Sequence, residues 1–391
     1  RHGKVQARQV LATKIGQLSG LLATPGDRKD LVFHYAFETI KESSGGPTPK
    51  YRLVRQGFPA RTGVQASAAQ RERARKLHKD SVILFAHDHD PSRQGFIDFR
   101  SGNVAAKAIM LTTDGVDWNR RLRLRCLPDR NTWIPRFASH VQELEVLEAE
   151  EQSVVKIVRN AEDIELARKQ GRVGAILGVE GVLPPTVESV DWLQDLHRQG
   201  LRQLQVFWQH PNPSMGIAEK GILTDYALKL VGECNRLGIV VSCSHLGELA
   251  TFQVAQSSKH PILRCHDTPK GYAPNGEATD QMIQAIASSG GGRGVFALHF
   301  LHGYVRSPDV ASLVDAVDYV RDLVGIDHVA LGGDYFPEES QRFAVQHVSR
   351  LEELTLELVR RGYSDDEIRK VLGLNMLRLY KDVWGSVPSQ K

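Results

Sequence analysis

Eight apolar β-type runs, at residues 82–86, 104–111, 173–179, 204–208, 239–243, 262–265, 294–298 and 328–331, are each separated from the next by enough chain for a helix. Strands that alternate with helical segments pair in parallel, because a parallel neighbour can be reached only by a crossover over the sheet face. An eight-fold count favours a closed (β/α)8 TIM-type barrel of the metal-dependent hydrolase kind. An open doubly wound sheet is the alternative fold. Residues 225–237 and 280–288 carry apolar positions at helical spacing, and Gly238 supplies a stop after the first. The chain ends in a Ser364-capped helix, a break at Gly373 and a further helix expected to pack on the outside.

The 391 residues accommodate a barrel of about 250 residues with extensions. Residues 1–75 read as a basic N-terminal extension with turn chemistry at 43–49, an arm or a partly helical segment, and 76–391 as the barrel with its C-terminal helices. A helix is expected over 66–79. A formal charge of +4 is small for this length. The basic runs at 71–76 and 120–125 lack interleaved aromatics and read as solvated faces, so no nucleic-acid partner is expected. Four dispersed cysteines without CxxC exclude a disulfide framework, and Cys243 and Cys265 read as buried free thiols. No apolar stretch approaches the roughly 18 residues of a membrane span. The expectation is a soluble chain, cytoplasmic rather than secreted, although a start at Arg1 is compatible with a removed leader.

Chemistry collects where the runs end. The first closes on His87-Asp88-His89-Asp90, and side chains two apart on a strand share a face, so His87 and His89 are the preferred metal-ligand pair with Asp90 next. Glu180 ends a run apolar enough to be buried, where a carboxylate is costly unless paired or bound to a cation; bridging two divalent metals would satisfy both oxygens. His245 and His266 end successive strands and suit the nitrogen ligands of a second zinc. Asp334, in Gly332-Gly333-Asp334, ends the eighth run as a weak ligand and proton shuttle or as a helix N-cap.

Between Leu77 and Trp384 these motifs resemble the membrane dipeptidase family, also called renal dipeptidase or peptidase family M19. HDHD stands where that family has HxD or a related pair. GVEG, the segment 221–245 ending in SCSH, His266, VGIDHVALGGD and GLNMLRLYKDVW follow in its order and spacing. The resemblance implies a binuclear zinc barrel, two Zn2+ per chain held by His87, His89, Glu180, His245, His266 and Asp334, that cleaves a dipeptide or related small amide through a metal-bridging hydroxide. It further implies a homodimer. Asp334 would move the proton, and His210 would stabilise the oxyanion, unless Trp208 occupies that position. The chain departs from the family at Ser242, at Cys265-His266-Asp267 and at residues 274–280, where the arginine expected to hold a substrate carboxylate has no counterpart. Lys270 could replace its charge. The departure leaves two alternatives open, a lactone, ester or phosphoester hydrolase on the same barrel and a non-catalytic scaffold.

Overall fold

The computed structural model describes residues 31–40, 50–59, 64–114, 130–208, 212–214, 221–273, 275–301, 304–307, 309–335 and 344–385. The chain divides into two compact units at Thr62/Gly63. In the first, β1 (Leu31–Ile40) and β2 (Lys50–Pro59) pair antiparallel in unbroken register, so the described residues of this unit form a ribbon. The turn-like residues 43–49 lie outside the described residues.

The second unit begins with α1 (Ala68–Asp80), whose Ser67 and Gln70 form a reciprocal capping box. Then β3 (Ile83–Asp88), β4 (Val104–Thr113), β5 (Val155–Ile157), β6 (Val173–Glu180), β7 (Leu201–Gln205), β8 (Val240–Ser242), β9 (Leu263–Asp267), β10 (Val295–His299) and β11 (Val329–Tyr335) form one parallel sheet. Pairing of β4 with β6 along Ala106–Thr113 and Gly174–Glu180 closes it, which rules out the open doubly wound arrangement. β5 was not expected. It pairs with the first three residues of β6, ahead of β7, and is an addition to the eight barrel strands. The fourth strand starts at Leu201 and stops at Gln205, three residues earlier than its apolar pattern suggests. Gly200, in the left-handed region at φ 115°, ends the preceding helix and hands over directly to the strand. Two polar side chains in that strand, Gln203 and Gln205, are fully buried, which disguised it in the sequence. Gln203 is satisfied by donating to the Ala86 carbonyl at 2.9 Å and accepting from the Tyr380 hydroxyl at 3.2 Å.

Helices link the strands. Among them α6 (Asp225–Leu237) is capped by Thr224 and ended by Gly238 at φ 69°, and α8 (Asp280–Gly292) is capped by Thr279 and loses helical geometry from Ser289 onward. Strand residues alternate between two apolar clusters: Ile83 and Phe85 face the helices, whereas Leu84 and Ala86 face the interior with Ala106, Ala108 and Ala330. The terminal helix α12 (Asn375–Trp384) joins the interior cluster through Met376, Leu379 and Tyr380. It lies across the strand starts and not along the outside: Asn375 donates to the carbonyls of Ile326 and Val329, and Trp384 donates to that of Arg202. One mouth of the barrel is thereby plugged. The functional residues fall at the other.

Candidate metal centre

Strict alternation would send His87, like Phe85, toward the helices. The β3–β4 register shifts between Phe85 and Asp88, and the irregularity turns the strand end so that His87 faces the interior. Its ring lies 4.0 Å from that of His266 by centroid. His87 Nε2 and His89 Nε2 face each other at 3.0 Å, and His245 Nε2 and His266 Nε2 at 2.9 Å. Two imidazoles on one tetrahedral zinc, with bonds near 2.05 Å, stand about 3.3 Å apart. Each pair is therefore spaced to share an ion.

Glu180 lies between the pairs. Its Oε2 is 3.4 Å from His89 Nε2, and its Oε1 is 3.4 Å from His245, 3.7 Å from His87 and 3.7 Å from His266. Asp334 closes the first pair, with Oδ1 at 3.2 Å from His89 Nε2 and 3.5 Å from His87 Nε2. That oxygen is buried and makes no hydrogen bond. A buried carboxylate oxygen crowded against two imidazole nitrogens is costly unless a cation or a proton lies among them. The clusters His87–His89–Glu180 and Glu180–His245–His266 each bring ligand atoms close enough to hold a metal ion.

The backbone adds to this. Asp334 and His245 adopt left-handed φ values of 60° and 63°, a strained conformation for non-glycine residues that persists where surrounding structure enforces it. Glycines at 332 and 333 let strand β11 pass close to its neighbours; a Cβ at 332 would lie 2.7 Å from the carbonyl oxygens of Cys265 and Leu298.

Electrostatics separate the rings within each pair. Burial lowers His87 to about 4 against the pull of Glu180 and Asp334, and drives His266 well below the ordinary histidine value. Burial also opposes charge on His89 and His245, but the carboxylates beside them overcome it and raise the two to about 9 and about 10. In spite of burial, Glu180 is held below the usual carboxylate range by His87, His245 and His89, and Asp334 by His299 and His89.

Around the cluster lie further groups, of which His299 and Glu277 were missed by sequence reading. His299, the last residue of β10, accepts a hydrogen bond at Nδ1 from the Leu301 N–H at 3.0 Å, so its Nε2 carries the proton and donates to Asp334 Oδ2 at 3.0 Å. Its ring stacks on Tyr304 at 4.4 Å. A histidine directly after a predicted strand was the available signal. The Cys265 thiol lies 3.3 Å from Nδ1 of both His87 and His266 and 3.2 Å from Gln205 Oε1. Cys243 and Cys265 are both buried and free, as expected. Glu277 Oε2 lies 3.6 Å from His245 Nδ1.

Other expectations fall elsewhere. The Asp90 carboxylate accepts from the Ser92 N–H at 2.9 Å and belongs to the loop before α2 (Arg93–Ser101), not to the cluster. Asp88 pairs with the buried Lys107, whose ammonium also donates to the Asp90 carbonyl at 2.6 Å and lies 4.2 Å from the Phe99 ring. The Lys270 side chain is exposed. Trp208 donates its backbone N–H to Asp114 at 3.1 Å, and His210 lies outside the described residues.

A closed parallel barrel with histidines and carboxylates gathered at the C-terminal ends of its strands defines the metal-hydrolase class of TIM barrel. The family model for membrane dipeptidase, peptidase family M19, matches residues 122–386, and the chain belongs to that family. The match begins after β4, so His87 and His89 precede it. Dipeptidase verJ of Clonostachys rogersoniana is 27% identical over 236 residues, 58% of this chain and 60% of that protein, and dipeptidase ataJ of Aspergillus terreus is 26% identical over 276 residues, 62% and 66%. The chain thus spans less than two thirds of the length of these relatives. Among solved structures, the probable dipeptidase PvdM of Pseudomonas aeruginosa superposes with a TM-score of 0.71 at 18% identity, over 82% of this chain and 100% of that one. A metallo peptidase of Rhodobacter sphaeroides, liganded with a phosphinate mimic of the dipeptide L-Ala-D-Ala, gives 0.65 at 22% identity, over 78% and 100%. Those structures share the fold. Among the described residues no helix is long and apolar enough to cross a membrane.

Proposed function

We propose that the chain is a hydrolase that binds two divalent ions, zinc by the chemistry of the donors, and cleaves a dipeptide or related small amide. The observation that carries this reading is Glu180: a fully enclosed carboxylate with an oxygen toward each of two imidazole pairs. His87, His89 and Asp334 would hold one ion, His245 and His266 the other, and Glu180 both. Bound there, the ions supply Lewis acidity and lower the pKa of coordinated water toward neutrality. Relatives named dipeptidases support the substrate class.

The chain's own groups supply position and proton transfer. His299 fixes the Asp334 carboxylate through Oδ2, which leaves Oδ1 to face the reacting centre and to take a proton destined for the leaving nitrogen. Donation to the developing oxyanion falls to His210, or to Trp208 in its place, by the family resemblance alone. The test is Glu180→Gln, assayed for metal per chain by mass spectrometry and for hydrolysis of a dipeptide panel. The wild-type chain should carry two zincs and turn over dipeptides, and the variant should lose an ion and fall to background. An active Gln variant with two ions would overturn the scheme.

A further inference from the structure

Glu277 stands where the metal cluster opens toward solvent. Its side chain is 46% exposed while those of His266, Asp334 and Glu180 are all 10% exposed or less. The loop that carries it is fixed at both ends: Lys270 N–H donates to the Ala278 carbonyl at 2.7 Å, and Pro269 bridges Ala278. A side chain at the preceding Gly276 would begin 2.5 Å from the Pro269 carbonyl oxygen, so the backbone beside Glu277 lies tight against the base of the loop.

Arg264, His245 and, farther off, His299 act on it, and its backbone N–H donates to Asp267 Oδ1 at 3.4 Å. Arg264 is fully buried, its Nε is taken by Asp267, and Nη1 donates to the carbonyls of Cys243 and Leu246 at 3.0 and 3.2 Å. Its Nη2 has no hydrogen-bond partner and lies 3.9 Å from Glu277 Oε2. One guanidinium thus serves two carboxylates. His245 offers Nδ1 to the same oxygen while its Nε2 faces Glu180. Two cationic donors, His245 Nδ1 at 3.6 Å and Arg264 Nη2 at 3.9 Å, thus face one oxygen of an anionic carboxylate.

We propose that Glu277 makes this side of the site a charge filter that favours a substrate presenting a protonated amine or a neutral amide there and disfavours a free carboxylate. The inference rests on the proposed amide hydrolysis at the cluster. A carboxylate arriving there meets a like charge, and an ammonium group meets a fixed acceptor.

Phosphinate isosteres of alanyl-alanine, one with a free carboxylate and one with a carboxamide terminus, test the filter by calorimetry on the zinc-loaded full chain. The carboxamide form should bind more tightly to wild type, and Glu277→Gln should shift the ratio of the two dissociation constants toward the acid by about tenfold. The Gln oxygen can still accept from His245 Nδ1, so metal content should be unchanged. A purely structural role for Glu277 would weaken both ligands alike and leave the ratio fixed. An unchanged ratio, or tighter binding of the acid by wild type, overturns the proposal. Failure of the zinc-loaded wild type to hydrolyse either parent peptide, alanyl-alanine or its amide, would overturn the amide-hydrolase reading instead, while the binding ratio still decides the filter.

Discussion

His299 shows how one residue outside the ligand set can govern it. It holds Asp334 by a single oriented hydrogen bond, with its tautomer set by the Leu301 N–H and its ring plane set by Tyr304. His299→Phe keeps the stacked ring and removes the donor. Outer partners of this kind are worth about 10–100-fold in metal affinity or activity. The variant should lose that much in kcat, or in zinc affinity measured by chelator competition, while its thermal midpoint stays near that of wild type; full activity with normal zinc affinity would remove His299 from the mechanism. Of the cluster, His87, His89, Glu180, His245, His266 and Asp334 were legible because each ends an apolar run. His299 also ends one, yet it stood outside any motif. Glu277 had no such signal, since a loop residue ten positions past a strand owes its place to the Pro269–Ala278 bridge.

Elements were legible where local chemistry set both ends. Thr224 and Gly238 bound α6 at the positions expected from sequence, and Ser364 with Glu367 begins α11 (Asp365–Arg369) through a capping box. The break at Gly373 was visible too, but not its reason. The backbone there is extended at φ 178°, and a Cβ would fall 2.1 Å from the Val82 carbonyl oxygen, where the C-terminal segment crosses the start of β3. Gly373→Ala should therefore force α12 away from the barrel mouth and cost about 1–3 kcal/mol in urea unfolding, as overpacking does. A neutral Ala variant would show that the crossing can relax. Strand β7 was misplaced for the opposite reason: its buried glutamines are apolar neither in character nor in pattern, and only their partners, Ala86 and Tyr380 for Gln203 and the Phe207 carbonyl and Cys265 for Gln205, make them core residues.

At the scale of the molecule, burial couples stability to pH away from the metal site. His78 is buried between α1 and its neighbours, donating Nε2–H to the Gly102 carbonyl at 3.1 Å and accepting from Thr355 at 2.8 Å. Burial, only partly offset by the Gly102 carbonyl, lowers its pKa from 6.5 to about 4. The unfolded chain therefore binds this proton below its ordinary value while the folded chain does not, so the stabilisation is full above about pH 6.5 and is lost as pH falls toward about 4. Between about pH 7.5 and about pH 5, wild type should lose about 2 kcal/mol more in urea than His78→Gln, which keeps both hydrogen bonds without the titration. Equal losses would place the pH dependence elsewhere. By itself, the sequence determined the alternation of strands and helices, the polar residues that close the strands and the family they resemble, because hydrophobic period, caps and motif spacing are local properties of a chain. Only the tertiary structure decided that β4 and β6 meet to close the barrel, that a bulge turns His87 inward, and that His299, Cys265 and Glu277 surround the ligands. Those facts depend on packing between residues far apart in sequence, and no local pattern encodes a distance across a barrel.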